Sequence, residues 1–335
     1  MRKLGSLSTF PLALGCMGMS GMYGPSDEDE SIATIHAALD AGITLIDTGD
    51  FYGMGHNEML IGRALRGRRE SALLSVKFGG LRAPGGGWTG VDTRPVAVKN
   101  FLTYTLTRLG VDHIDIYRPA RLDPAVPIED TIGAIAEMVK AGYVRAIGLS
   151  EVGPETIQRA HAVHPIVDLQ IEYSLISRTP EEKIFGVLET LGIGVTAYGV
   201  LSRGLLSGSV PTASTDFRAH LPRFTGENRA QNDRLVGTLR ALAAEKLSNR
   251  HSSRSPGSWR RSPISSPSSA RASARSSQSL LVRCRSRCRP KKSHASRKRS
   301  HPTPSPGRGT TPVKCKCWTV KNSLQSCIGD SLIGD

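Results

Sequence analysis

Residues 45–62 read LIDTGDFYGMGHNEMLIG, and residues 73–80 read LLSVKFGG. Each opens on a short apolar run and then meets a charge, Asp47 in the first and Lys77 in the second, with a helix-period segment at 58–65 between them. An apolar run of this length bounded by such a segment reads as a strand buried on both faces, the pattern of parallel pairing. The charge at its end then marks where the strand leaves the sheet.

The same unit recurs along the chain. Apolar runs at 12–15, 44–47, 73–76, 113–117, 146–150, 168–173 and 194–198 alternate with amphipathic segments, the clearest at 28–41, 96–109, 128–140 and 154–164. Gly42, Gly110, Gly142 and Gly192 follow these segments, where a left-handed cap residue is expected. Both a doubly wound sheet and a closed barrel fit the alternation. Polar side chains separate them: Asp47, Lys77, Ser150, Gln170 with Glu172, and Tyr198 fall at or just past the ends of different strands, where a (β/α)8 TIM barrel assembles its site. The doubly wound fold calls for G-x-G-x-x-G after the first strand, and the glycines at 15, 18 and 21 are wrongly spaced.

A carboxylate, a tyrosine five residues on and a lysine at the next strand end converge at a barrel mouth. A phenol with an ordinary pKa of about 10 is a weak acid at neutral pH, and a neighbouring ammonium lowers that value by stabilising the phenolate. Tyr52 is then a general acid, Lys77 its activator, and Asp47 the group that aims Lys77. The residues alone leave a second reading open, a buried Asp–Lys pair with a packing tyrosine.

The stretch GITLIDTGDFYGMGHNEMLIGRAL (42–65) resembles the aldo-keto reductases, as do VDHIDIYRPARLDPAVPIEDTIGA, VKAGYVRAIGLSE, DLQIEYSLISR and VTAYGVLSRGLLSG; the resemblance runs from residue 4 to 246. It implies a barrel that reduces an aldehyde or ketone by hydride transfer from a nicotinamide cofactor, usually NADPH, with NADH not excluded. Carried over by position, it implies Tyr52 as proton donor, with Lys77 and Asp47 behind it. It implies Ser150 and Gln170 at the nicotinamide carboxamide and Tyr198 under its ring. Gly199, Leu201, Arg203 and Gly204, in YGVLSRG (198–204), are implied at the pyrophosphate. Two positions depart from the pattern. Ala120 stands where the family has a histidine, and Glu151 stands where it commonly has an asparagine. His56, in the loop beside Tyr52, is a candidate to take over from the histidine. The loop at 82–90, RAPGGGWTG, is of the kind that sets substrate choice, and the substrate itself cannot be read.

The chain carries a net charge of +15, but residues 1–246 hold 25 basic and 27 acidic side chains, and residues 247–335 hold 19 and 2. All the basicity lies in a Ser/Arg/Pro-rich tail, expected to be disordered because it has too few large apolar groups to offset ordering entropy. The expected boundary therefore follows Lys246, leaving a barrel without its last strand and helix. Read one nucleotide earlier, codons compatible with residues 251–260 spell Gln-Leu-Ala-Ile-Ala-Trp-Val-Leu-Ala, the helix the family places next. The tail thus reads as an out-of-frame end. A nucleic-acid-binding basic tail is the rival. The cysteines at 284, 288, 315 and 317 carry only weak zinc spacing, and no metal is expected. With one thiol before the tail and no long apolar run, a cytoplasmic setting without membrane contact is expected.

Overall fold

A computed structural model describes residues 1–209, 211, 216–252 and 279–282. Strands β1 (Arg2–Leu4) and β2 (Leu7–Thr9) form an antiparallel hairpin. The barrel follows with β3 (Leu12–Gly15), helix α1 (Glu28–Asp40), β4 (Leu45–Gly49), α2 (His56–Ala64) and β5 (Leu73–Phe78). A second hairpin, β6 (Gly80–Arg82) and β7 (Trp88–Val91), precedes α3 (Pro95–Leu109) and β8 (Ile116–Pro119). Then come α4 (Ile128–Lys140), β9 (Ile147–Ser150), α5 (Pro154–Val163), β10 (Ile166–Glu172), α6 (Pro180–Lys183), α7 (Phe185–Leu191), β11 (Gly194–Tyr198), α8 (Gly226–Ser252) and β12 (Ser279–Val282).

Seven strands, β3, β4, β5, β8, β9, β10 and β11, curl in parallel in that order. Among the described residues no eighth parallel strand follows, as the reading of a barrel without its last strand implied. Its place in the ring is held by β12, which runs antiparallel to both β3 and β11. β3 and β11, which a missing last strand would leave as open edges, are thus both paired, because an unpaired ladder is a template for any strand within reach. The boundary expected after Lys246 falls inside α8. The remaining tail residues, with the disorder and the cysteine pairs expected there, lie outside the described residues.

Sequence and element agree for simple reasons. Asp27 caps α1 by accepting from the Glu30 amide at 2.8 Å, and Pro95 and Pro154 occupy the first turns of their helices, where a missing amide costs nothing. Gly42, Gly110, Gly142 and Gly192 all have positive φ, as the cap pattern predicts. The run at 113–117 makes an isolated bridge at Ile114 with Val144 and joins β8 from Ile116; between them Asp115 turns its carboxylate to the Leu74 amide (2.8 Å), Arg69 and Arg145 (2.9 Å each). The hairpin β1–β2 has no counterpart in the alternation and was not anticipated. It closes the floor of the barrel: Leu4 is buried against Ala13, Leu45 and Ile116, and a Cβ on Gly194 would stand 2.2 Å from its side chain.

Candidate active site

At the C-terminal ends of the strands, β4 and β5 deliver Asp47 and Lys77 side by side. Lys77 Nζ donates to Asp47 Oδ2 at 2.6 Å, and both side chains are buried. Asp47 Oδ1 accepts from Ser75 Oγ at 2.9 Å and from Gln170 Nε2 at 2.8 Å, so two strands, β5 and β10, fix a carboxylate carried by a third. The chain leaves β4 through Gly53, Met54 and Gly55, all at positive φ, and this tight turn lays the Tyr52 ring over the ammonium, with Nζ 5.0 Å from the ring centroid. Asp50 ties the two strand ends together: its amide donates to the Lys77 carbonyl at 2.9 Å, and its Oδ2 accepts from the Gly79 amide at 3.1 Å.

The electrostatics differ from expectation at Tyr52. Burial, together with the Asp47 charge, holds its phenol well above the ordinary value, against a smaller pull from Arg121, so the net lowering expected beside Lys77 is corrected. Burial moves Lys77 the other way, below an ordinary lysine, against the pull of Asp47 and with a further push from Arg118 and Arg121.

His56 has both imidazole nitrogens engaged away from Tyr52, although its backbone amide donates to the Tyr52 carbonyl. It begins α2, with Nδ1 3.0 Å from Ser20 Oγ and Nε2 2.6 Å from Glu28 Oε1. Its neighbours are structural: Asn57 donates to the Cys16 carbonyl and Ser20 Oγ at 2.8 Å each, and buried Glu58 accepts from Thr105 at 2.7 Å and Arg108 at 2.5 Å. Ala120 is buried behind β8 and offers no side-chain donor.

The other expected residues lie on the neighbouring strand ends. Ser150 closes β9, fully buried, and its Oγ has no hydrogen-bond partner among the described residues, an orphan that an amide from a bound group would satisfy. Gln170 already spends its amide nitrogen on Asp47. Glu151 adopts φ +53, rare for a side chain of this size, and its Oε1 accepts from the Glu172 amide at 2.7 Å. Tyr198 ends β11, with the Arg203 guanidinium carbon 5.5 Å from its ring centroid. Arg203, itself at φ +57, also reaches Tyr23 Oη and Glu172 Oε2 at 3.5 Å each. Gly199, Leu201 and Gly204 form the turn that carries it, with Ser202 N bonded to Gly199 O at 2.6 Å and Gly204 N to Leu201 O at 3.0 Å.

Residues 11–252 match the Aldo/keto reductase family. The chain belongs to this family. A probable aldo-keto reductase from Glycine max is 41% identical over 239 residues, 69% of this chain and 68% of the relative. Among solved structures, a glycerol dehydrogenase from Gluconobacter oxydans superposes with TM-score 0.63 at 31% identity, covering 70% of this chain and 74% of that one. The holo form of an aldo-keto reductase from Bacillus halodurans superposes with TM-score 0.58 at 32% identity, covering 67% and 71%. The aldo/keto reductases are oxidoreductases of small carbonyl compounds that use a nicotinamide cofactor.

Within this aldo/keto reductase barrel, sequence reasoning missed a second set of buried polar side chains: Ser75, Arg118, Asp168 and Thr196. The signal was present, since an arginine in IYRP or an aspartate in DLQIEY cannot sit unpaired in a strand covered on both faces. Among the described residues no His, Cys, Asp and Glu cluster is suited to a metal, and no helix is long and apolar enough to cross a membrane.

Proposed function

We propose that the chain reduces an aldehyde or ketone to an alcohol with Tyr52 as the proton donor. The observation that carries this reading is the buried Lys77–Asp47 pair beneath the Tyr52 ring, with the orphaned Ser150 hydroxyl on the residue that pairs with Gln170 in the ladder. When bound, the nicotinamide supplies a hydride to the carbonyl carbon. Ser150 and the free oxygen of Gln170 would hold its carboxamide, Tyr198 would face its ring, and the 199–204 turn with Arg203 would hold the pyrophosphate. We take NADPH as the cofactor, with NADH as the alternative.

The raised value of Tyr52 suits the role. The phenol keeps its proton at neutral pH and gives it up only when the carbonyl oxygen becomes an alkoxide, a far stronger base. Lys77 then faces the phenolate, and its lowered affinity for its own proton lets it return one to Tyr52. In a frame-repaired protein, Tyr52→Phe is expected to lower turnover by at least about 10² with cofactor affinity nearly unchanged, because the hydroxyl acts in the transition state. Loss of nicotinamide absorbance at 340 nm with simple aldehydes measures it; retained turnover removes Tyr52 from the mechanism.

We further propose that activity is impaired in this chain. The family match stops at Ser252, and barrels of this kind form a phosphate site after strands seven and eight. The cause we infer is a frame loss near codon 247. Sequencing independent DNA clones tests it: a confirmed uninterrupted gene, with stop codons closing the shifted frame between 247 and 275, refutes the inference. The buried Ala120 favours a second reading, a barrel that binds without turnover, for which cofactor binding without oxidation is the signature. A cytoplasmic setting belongs to the proposal, with Cys16 as a single buried thiol before the tail.

A further inference from the structure

The activity proposed above leaves a second buried ion pair without a task. Arg118 and Asp168 are both fully buried inside the barrel; Arg118 Nη1 donates to Asp168 Oδ2 at 3.2 Å, and Thr196 Oγ1 donates to the same oxygen. Gly148 makes the room, since a Cβ there would stand 2.6 Å from Asp168 Oδ1 and 3.1 Å from the guanidinium carbon. The other arm of Arg118 leads toward Tyr52. Its Nη2 donates to Ser75 Oγ at 2.9 Å, and Ser75 Oγ lies 2.9 Å from Asp47 Oδ1.

The direction of this chain is fixed by chemistry. A guanidinium can only donate, so Ser75 must accept from Arg118, and its single proton is left for Asp47. The order is Arg118 to Ser75 to Asp47, and Asp47 then aims the Lys77 ammonium. Lys77 is faced by Asp47 from β4, by the Tyr52 ring from the turn after β4, by Arg118 from β8 and by Arg121 from the segment after β8. Asp168 balances Arg118, so the four charges of the two pairs cancel, as a buried array requires.

We propose that Arg118 is a positioning residue for proton delivery by Tyr52: through Ser75 it sets the Asp47 carboxylate, and with it the ammonium beneath the phenol. The step it serves rests on the proposed function; the geometry does not.

Three variants of the full chain test it: Ser75→Ala, which cuts the link and spares both ion pairs; Ser75→Thr, which restores the hydroxyl; and Arg118→Met with Asp168→Leu, which removes the second pair as a neutral whole. The readouts are kcat and KM for an aldehyde, the thermal midpoint, and an NMR titration of ¹⁵N-labelled lysine, with Lys77 assigned as the signal lost in Lys77→Met. Ser75→Ala is expected to keep its thermal midpoint and KM, to lose about tenfold to a hundredfold in kcat, and to move the Lys77 titration upward. Ser75→Thr should recover both, and Ser75→Ala added to the paired variant should change nothing further. A parental kcat and titration in Ser75→Ala overturns the proposal, as does a loss that follows the thermal midpoint and that threonine fails to recover. Impaired turnover of this chain is already part of the proposed function, so if the parent turns over no carbonyl, kcat gives no reading in any variant. The Lys77 titration then decides, upholding the positioning role if it moves in Ser75→Ala and overturning it if it does not.

Discussion

Asp50 shows how much a single carboxyl can impose on this barrel. Burial pushes it up to about 7, and its Oδ1 has no hydrogen-bond partner among the described residues. Because the folded state holds this proton more tightly than the unfolded chain, the group favours folding at low pH, and that contribution is lost as pH rises through about 7. Between about pH 4 and 7 it costs up to about 1.4 kcal/mol per pH unit. Asp50→Asn keeps an acceptor for the Gly79 amide and has nothing to ionise, so it should be more resistant to urea than the parent at pH 8 and no more so at pH 4; equal gains at both would refute the assignment. Lys77 gives the complementary prediction. Since burial lowers its pKa, carbonyl reduction should fall on the alkaline side at a pH below that of an ordinary lysine, and Lys77→Arg should remove that limb from the kcat profile. At this scale the sequence was informative wherever a residue's position followed from its own strand. Lys77, Ser150 and Tyr198 lie at or next to strand ends, as their spacing implied, whereas β4 and β10 each continue two residues past Asp47 and Gln170. The shift of Tyr52 was not legible, because it depends on how completely distant segments cover the ring.

Among the elements, the β6–β7 hairpin contributes most to the mouth. Trp88 meets Phe51 edge-on at 5.5 Å between centroids, and Phe51 meets Tyr52 in the same manner at 4.9 Å, so an aromatic wall runs from solvent to the phenol. Trp88 is 48% exposed, leaving a face free for a substrate. Trp88→Ala is expected to raise KM for an aromatic aldehyde by roughly threefold to tenfold, the worth of one aromatic contact, while sparing a small aliphatic one; equal effects on the two would argue against the wall. The 82–90 segment was recognised as a loop, but its folding into a hairpin was hidden, because three successive glycines carry no alternation to read. Inside the barrel, Gly148→Ala is expected to cost about 1 to 3 kcal/mol in chemical denaturation, since the new methyl group drives apart Arg118 and Asp168.

For the whole molecule, the ring of seven parallel strands was legible from periodicity, whereas the reversed β12 was not, since the tail that contains it has no strand pattern. Helix α8 carries a related mark. Leu235, Leu239 and Leu242 recur on one face and are 45%, 36% and 50% exposed. Such a stripe buries itself when it can. Light scattering should find concentration-dependent association of the chain that Leu239→Lys with Leu242→Lys reduces. The hairpin at the barrel floor has a consequence in time. Leu4 is among the first residues to leave a ribosome, yet the groups that enclose it reach as far along the chain as Gly194. Its seat does not exist until more than half of the protein has been made. The amino end must wait, unprotected, for the chain behind it, so a nascent chain stalled before residue 190 should lose its first residues to an aminopeptidase that spares the finished barrel.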